Sequence, residues 1–497
     1  MKTNSLDFDA QALREKILDL AMRGKLVKQD PNDEPASVLL EKIKAEKEQL
    51  IKEKKIKKSK LLPPISDEEK PFEIPDSWEW VRLGDIGAWA AGATPSRKHP
   101  EYYGGTIPWL KTGDLNDGIV NETSEKITEL GVKNSSVKVN EPGNVLIAMY
   151  GATIGKLGIV GNQELVTNQA CCGCSLFDGV HNWYLFYYLL ASRKRLIDLG
   201  SGGAQPNISK NKIEKFTFPL PPLEEQSRIA AKIAQLFALL RKVESSTQQY
   251  AKLQTLLKSK VLDLAMRGKL VKQDPNDEPA SVLLEKIKAE KEQLIKEKKI
   301  KKSKPLPPIA DDEKPFEIPD SWEWVRLGEI LALEKGSIRR GPFGSSLKKA
   351  YFVPKSHNTY KVYEQGNAIN HTIDYGSYYI SAQKYDELKS FAIRPGDIII
   401  SGAGTIGKTY ILPPESPEGV INQALIRMRL NNKLITNDFF LLLFKQKVSL
   451  LNKKAKGTAI KNMFSIAHMK EDIVWALPPI SEQNRIVKQL QEISKMM

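Results

Sequence analysis

The sequence predicts an α+β protein in which two mixed α/β domains are separated by long antiparallel coiled-coil helices, the whole carrying an internal pseudo-two-fold repeat. Three observations lead there: a nearly perfect internal repeat, a second and weaker repeat, and a heptad of apolar residues that joins them. Residues 18–60 recur without change as 262–304, an offset of 244. Over 18–86 only four positions differ from their counterparts: Leu61/Pro305, Ser66/Ala310, Glu68/Asp312 and Asp85/Glu329. Further on, Leu220-Pro221-Pro222-Leu223-x-Glu225-Gln226-x-Arg228-Ile229 returns as Leu477-Pro478-Pro479-Ile480-x-Glu482-Gln483-x-Arg485-Ile486, at an offset of 257. The stretches between, about 87–219 and 331–476, resemble each other only in patches. The chain therefore reads constant, variable, constant, variable, constant.

The constant parts read as helix. Ile229, Ile233, Leu236, Leu240, Val243, Thr247, Tyr250, Gln254, Leu257, Val261 and Leu264 follow alternating steps of four and three, a coiled-coil seam with two polar members. Gly268 is the stop, so this helix is expected to run about 40–45 residues, roughly 60–67 Å. Ile486, Leu490, Ile493 and Met497 match Ile229, Ile233, Leu236 and Leu240, while Leu13, Ile17 and Leu20 match Leu257, Val261 and Leu264. Each chain end thus carries half of the helix that the middle carries whole. Ends that meet would rebuild a second helix, antiparallel to the central one; a simple homodimer through the seam does not explain the split. After Gly24 and Gly268, residues 30–35 and 274–279 read as turns. Lysine-rich helices follow at about 36–59 and 280–303, and then proline-rich connectors. The expected segments are 1–60 (helical half-repeat), 61–219 (first domain), 220–304 (central helical region), 305–476 (second domain) and 477–497 (helical half-repeat).

In the variable stretches, strands are expected at 144–148 and 397–400, each after a Pro-Gly turn. Related glycine loops follow, Gly151-Ala152-Thr153-Ile154-Gly155-Lys156 and Gly404-Thr405-Ile406-Gly407-Lys408, and later the tripeptides Asn168-Gln169-Ala170 and Asn422-Gln423-Ala424. Gly402-Ala403-Gly404-Thr405-Ile406-Gly407-Lys408-Thr409 fits the phosphate-loop pattern. A working phosphate loop needs a helix whose amino end faces the phosphate. Here Tyr410-Ile411-Leu412-Pro413-Pro414 follows, a short strand into a turn, so a tight turn is expected and nucleotide hydrolysis is not. Other chemistry is thin. Both Pro-Pro pairs at the weaker repeat follow leucine, not the Asn or Asp of an amino-methyltransferase. His99, His181, His357, His371 and His468 stand singly, without metal-ligand spacing. Cys171, Cys172 and Cys174 lack a second Cys/His pair and are expected to be buried thiols. The tryptophans of the recurring phrase at 71–84 and 315–328 are expected to pack locally.

Apolar content of 41% and charged content of 27% are ordinary for a globular protein. No apolar run reaches membrane-spanning length, the amino terminus lacks a secretory core, and the three cysteines do not suit a disulfide framework. A cytoplasmic protein without membrane association is expected. The net charge of +15 favours a polyanionic partner. Much of it, however, lies in residues 41–60 and 285–304, each with nine Lys and four Glu, which also suit a solvated helix face.

The whole chain resembles the specificity subunit of type I restriction-modification systems. The resemblance rests on the paired Pro-Phe-Glu-Ile-Pro-Asp-Ser-Trp-Glu-Trp-Val-Arg-Leu-Gly phrases and the Leu-Pro-Pro-[Leu/Ile]-x-Glu-Gln-x-Arg-Ile phrases, in order and twice over. Thr94-Pro95-Ser96-Arg97-Lys98, Ile107-Pro108-Trp109-Leu110-Lys111-Thr112-Gly113-Asp114 and Tyr363-Glu364-Gln365-Gly366-Asn367 add to it. It implies two target-recognition domains, each reading half of a split sequence in double-stranded DNA. It implies that the helices set the spacing and dock two methyltransferase subunits, which restriction subunits join. It implies no catalytic residue and no cofactor in this chain, S-adenosylmethionine, ATP and Mg belonging to the partners. DNA contacts are then expected from Arg97, Lys98, Lys111, Thr112, Lys156, Asn207, Lys210 and Lys212 in the first domain. In the second they are expected from Arg339, Arg340, Lys348, Lys361, Gln365, Asn367, Lys408 and Lys461. The readings held against this one are a coiled-coil scaffold that binds protein alone and a phosphate-loop NTPase. The near-identical constant blocks also suggest that recombination exchanges specificity between cassettes; stable inheritance of one methylation pattern over many generations would count against that.

Overall fold

The computed structural model describes residues 8–58, 61–200, 206–302, 304–454 and 465–496. It divides into two compact units, Met1–Gln249 and Tyr250–Met497. The division falls inside one continuous helix, Leu223–Met266, whose 44 residues agree with the heptad reading.

In the first unit, helix Ala10–Met22 starts at Asp9, whose carboxylate accepts the Ala12 N–H at 2.9 Å. It stops at Gly24, which takes a left-handed φ of +66°; a Cβ there would lie 2.4 Å from the Pro75 ring. Helix Ala36–Lys52 ends earlier than the lysine-rich run suggests. Lys54 turns left-handed (φ +56°) and the Lys55 N–H closes back on Leu50 O at 3.0 Å, a Schellman-type stop without glycine that the lysine run hides. Lys298 and Lys299 repeat it in the second unit. Leu18, Ala21, Met22, Leu39 and Ile43 share one core with Trp78, Ile86, Tyr184 and Ile229. The helical half-repeat and the first variable domain are therefore packed as one body.

Among the described residues of that domain there are three sheets. Strands Glu79–Arg82 and Thr217–Leu220 pair antiparallel, Glu79 opposite Leu220, and so bring the beginning and end of the variable stretch together. A five-stranded sheet has the order Gly87–Ala91, Cys171–Leu176, Val145–Ala148, Leu157–Val160, Gly118–Val120; only the last junction is parallel. Val145–Ala148 and Leu157–Val160 are buried along their whole length, as a continuous apolar run predicts for strands covered on both faces. A four-stranded sheet has the order Glu125–Ile127, Tyr103–Leu110, Leu165–Thr167, Val139–Asn140. Helix Asn182–Ala191 buries Tyr184 and Tyr188, whose hydroxyls donate to Pro219 O and Thr217 O.

The second unit repeats the plan. Glu323–Arg326 pairs with Val474–Leu477. A four-stranded sheet has the order Ile338–Arg340, Leu425–Met428, Ile398–Ser401, Thr409–Ile411, and a three-stranded one Tyr379–Ser381, Thr359–Tyr363, Gly419–Ile421. Met266, Ala280 and Ile287 share its core with Trp322, Ile330, Phe440 and Ile486.

A polar clasp locks helix to domain in each unit, and it accounts for the weaker repeat. The Trp78 indole N–H donates to the Glu225 carboxylate at 2.9 Å, Gln29 donates to the same carboxylate, and Arg228 pairs with Asp33. Gln226 is fully buried: its Oε1 accepts the His181 N–H at 2.8 Å while its amide donates to Gly179 O and Pro221 O. In the second unit Trp322 and Gln273 donate to Glu482 at 2.9 and 2.6 Å, and Arg485 pairs with Asp277. Gln483 accepts the Thr436 N–H at 2.9 Å and donates to Leu434 O and Pro478 O. Burial pushes the carboxyls of Glu225 and Glu482 above the usual glutamate range, against the pull of those donors. Trp78 and Trp322 are buried, but the partners of their indoles lie far along the chain and not in the local phrase.

Candidate nucleic-acid interface

Four short segments of the first domain meet at one rim because backbone bonds tie each to the next. The parallel pairing of Tyr103–Leu110 with Leu165–Thr167 ends with the Asn168 N–H donating to Leu110 O at 2.9 Å. This sets the Lys111-Thr112-Gly113-Asp114 turn beside Asn168-Gln169-Ala170. Asn168 holds its own turn through its side chain, which accepts the Ala170 N–H at 3.1 Å. The Met149 N–H donates to Ala170 O at 2.7 Å, which places the glycine loop 151–156 next in line. Gly92 closes the rim: its N–H donates to Cys171 O at 3.1 Å, and a Cβ there would stand 2.0 Å from Thr167 O.

The second domain builds the same frame. Asn422 N–H donates to Tyr363 O at 2.9 Å, the Asn422 side chain accepts the Ala424 N–H at 3.0 Å, and Gly402 N–H donates to Ala424 O at 2.7 Å. Gly341 N–H donates to Leu425 O at 3.0 Å, with Asn422 O 1.9 Å from where its Cβ would be. On that shared frame the side chains differ. Thr112 gives way to Gln365, Lys111 to Glu364, and Thr94 to Phe343. Gln169 and Gln423, both exposed, are the amides that the two rims hold in common. The glycine run 402–408 is a turn between strands Ile398–Ser401 and Thr409–Ile411, with Lys408 N–H on Ser401 Oγ at 2.9 Å. No helix follows it to receive a phosphate, so the nucleotide-loop match is coincidental in its geometry.

The expected DNA contacts fall into groups. Thr112, Lys156, Asn207, Arg340, Gln365 and Lys408 lie on or beside the rims, Asn207 through its bridge to Tyr150. Arg340 donates to Gln423 O and Gly402 O at 3.3 and 3.4 Å. The Gln365 Oε1 is buried without a hydrogen-bond partner. Arg97 lies over the Tyr103 ring at 4.1 Å and shares Glu125 with Lys111, each at 2.8 Å; the two cations hold that carboxyl below its usual range, Lys111 foremost. Lys98 and Lys348 are exposed, and Arg339 stacks over Phe391 at 5.2 Å. Lys210 pairs with Glu214 at 3.2 Å and Lys212 donates to Leu199 O at 2.6 Å. Two expectations are corrected. Lys361 is only 3% exposed, donates to Gly376 O at 3.1 Å and sits between the Tyr363 and Tyr379 rings, and burial lowers its pKa. Asn367 is fully buried; it accepts the Glu364 N–H and donates to Thr372 O and Tyr375 O, which holds the Gln365 turn closed. Both are committed to bonds inside the domain, beneath the rim. Lys461 lies outside the described residues. Gln169, Gln423 and Phe343 were not among the expected contacts, although both amides stand in tripeptides whose recurrence is plain in the sequence.

The three cysteines are buried free thiols, and burial raises the pKa of each, that of Cys172 to about 12. Among the described residues no group of three or more His, Cys, Asp or Glu is placed to hold a metal ion, and no helix is long and apolar enough to cross a membrane.

The model of the type I restriction modification DNA specificity domain matches this chain twice, over residues 75–254 and 319–497. The chain belongs to that family. The type I restriction enzyme EcoAI specificity subunit of Escherichia coli is 32% identical over 544 residues, covering 98% of this chain and 89% of its own length. The EcoEI specificity subunit, also of Escherichia coli, is 31% identical over 98% of this chain and 90% of its own. The crystal structure of the HsdS subunit from Thermoanaerobacter tengcongensis aligns with a TM-score of 0.49 at 20% identity, over 86% of this chain and 91% of that one. As a specificity subunit, the chain recognises a DNA target, assembles with other subunits and is not itself an enzyme.

Proposed function

We propose that each unit of this specificity subunit reads one half of a split duplex target through the rim described above. Phosphate contacts from Lys98, Lys156, Arg340, Lys348 and Lys408 position each domain, and Gln169, Gln423, Thr112 and Gln365 face base edges. The helical parts dock two methyltransferase subunits, and restriction subunits join through these. S-adenosylmethionine, ATP and Mg are held by those partners, this chain has no cofactor of its own, and the assembly works in the cytoplasm. One observation carries the reading: the two rims have the same backbone bonds, Asn168/Asn422 and Gly92/Gly341 included, and different side chains at matched positions. That is the arrangement expected when one scaffold must address two different short sequences.

The test is genome-wide adenine methylation in cells with and without the gene, alongside an active methyltransferase partner. Loss of methylation at one split motif is the expected result and gives the target at once. An unchanged methylome moves the protein-only scaffold reading ahead.

A further inference from the structure

We propose that Phe343 is a stacking tip that enters the DNA base stack in one half-site, so that the second unit distorts the duplex it reads while the first does not. The proposal rests on the rim being the DNA-facing surface. Its grounds lie in the second rim itself. Phe343 is 62% exposed, directly after the buried Gly341 and Pro342. Gly341 is pinned by its bond to Leu425 O and by Asn422 O beside its missing Cβ, and Pro342 is buried, which fixes where the next side chain must emerge. Gly344 then turns away with φ +60° and nothing within 4 Å of where its Cβ would be. The ring therefore emerges directly from the buried Gly341-Pro342 pair into an open turn.

Behind the ring stands a cation. Arg340 lies 5.2 Å from the Phe343 centroid and is itself anchored to Gln423 O and Gly402 O, at the heart of the rim. A projecting apolar wedge with a guanidinium at its base matches the chemistry by which proteins part a base step and hold the adjoining phosphate. The first unit supplies the contrast. At the matched place, Thr94 is hydrogen-bonded to Gln169, and Arg97 stacks inward on Tyr103 and Trp109. That tip is polar and folded back, suited to a base edge but not to a base step.

The experiment uses the full chain with its methyltransferase partner, on duplexes carrying the motif found by methylation mapping. 2-Aminopurine replaces one base at a time at positions other than the two adenines that are methylated, since a methyltransferase turns its own target base out of the stack. With the native chain, fluorescence rises several-fold at one step of one half-site and stays flat through the other. Phe343→Ala removes that rise and Phe343→Leu, which keeps a smaller wedge, retains part of it, both melting at the native temperature. Three results overturn the proposal. One is a fluorescence profile that Phe343→Ala leaves unchanged. Another is a flat profile with the native chain while Phe343→Ala weakens binding as much as thymine-to-uracil replacement does, which makes the ring a methyl contact only. The third is the absence of any methylated motif with the native chain, which removes the DNA-recognition reading and the tip with it.

Discussion

The two units can be matched residue by residue at the clasp and at the rim, and they agree at the first and part at the second. At the clasp, Trp78, Gln29, Glu225, Arg228 and Asp33 have the same partners as Trp322, Gln273, Glu482, Arg485 and Asp277. At the rim the backbone bonds agree, while Thr94, Lys111 and Thr112 face Phe343, Glu364 and Gln365. What is repeated holds the domain to its helix; what varies is carried on loops whose backbone is held from within. The difference teaches that one scaffold separates stability from readout. Each can then change without the other.

The sharpest way to break that comparison is at the two pinned glycines. Gly92→Val and Gly341→Val should each abolish methylation at the split motif, because a Cβ 2 Å or less from a backbone oxygen forces the whole rim apart. Retained methylation with either variant would show that the rim is not where the target is read. Next in size is the clasp. Glu225→Ala and Glu482→Ala should each lower the stability of their own unit by about 2–4 kcal/mol, since each strands a buried indole N–H and a glutamine amide. Chemical denaturation should show the two losses equal within about 0.5 kcal/mol; a clear inequality would mean that the clasps are not equivalent. Smaller still, Gln169→Ala and Gln423→Ala should each cost about 1–3 kcal/mol of binding and relax one base, in different half-sites. Relaxation in the same half-site for both would sink the assignment of one unit to each half.

A pH titration sharpens the comparison further. Arg82, almost wholly buried, together with the Ser66 N–H, holds the Glu69 carboxyl down at about 2, and Arg326 acts likewise on Glu313. A carboxyl lowered in the folded state contributes stability above its usual range near 4.5. That contribution fades as the pH falls from there toward about 2. The first unit should therefore lose stability over that acid window and the second as the pH falls below the usual carboxyl range, and Glu69→Gln should flatten the response of the first alone. The smallest effect is expected from Lys98→Ala and Lys348→Ala. Each should weaken binding evenly across sequences and reduce the salt dependence by about one counterion.

Much of this architecture is legible in the chain. The exact repeat and the recurrence of Glu225-Gln226-x-Arg228 single out the residues of the clasp without revealing their pairing, because the same residue types are needed wherever the same buried donors must be met. The heptad from Ile229 to Leu264 measures the long helix, since the apolar period survives its two polar members. Strand positions were legible where apolar runs are dense, as at Val145–Ala148 and Ile398–Ser401. The site was less so. Lys361 and Asn367 look like contacts by residue type, yet burial and committed hydrogen bonds make them supports. Nothing in a pattern of lysines and amides records which of them face inward. Phe343 escaped for the opposite reason: an isolated phenylalanine reads as core unless the loop that holds it out is seen.

The sameness of the clasps has a consequence for how the protein reaches its fold. The helical segment 262–304 carries the same sequence as 18–60, so either can satisfy Glu225 or Glu482 when both acceptors are unfolded. Synthesis from the amino end removes the ambiguity, because residues 1–229 emerge with one helical segment and one acceptor before the second pair exists. A chain diluted from denaturant has no such order. It must sort two identical donor segments between two similar acceptors, within and between molecules. Its yield should fall with protein concentration, although the native state is the same by either route.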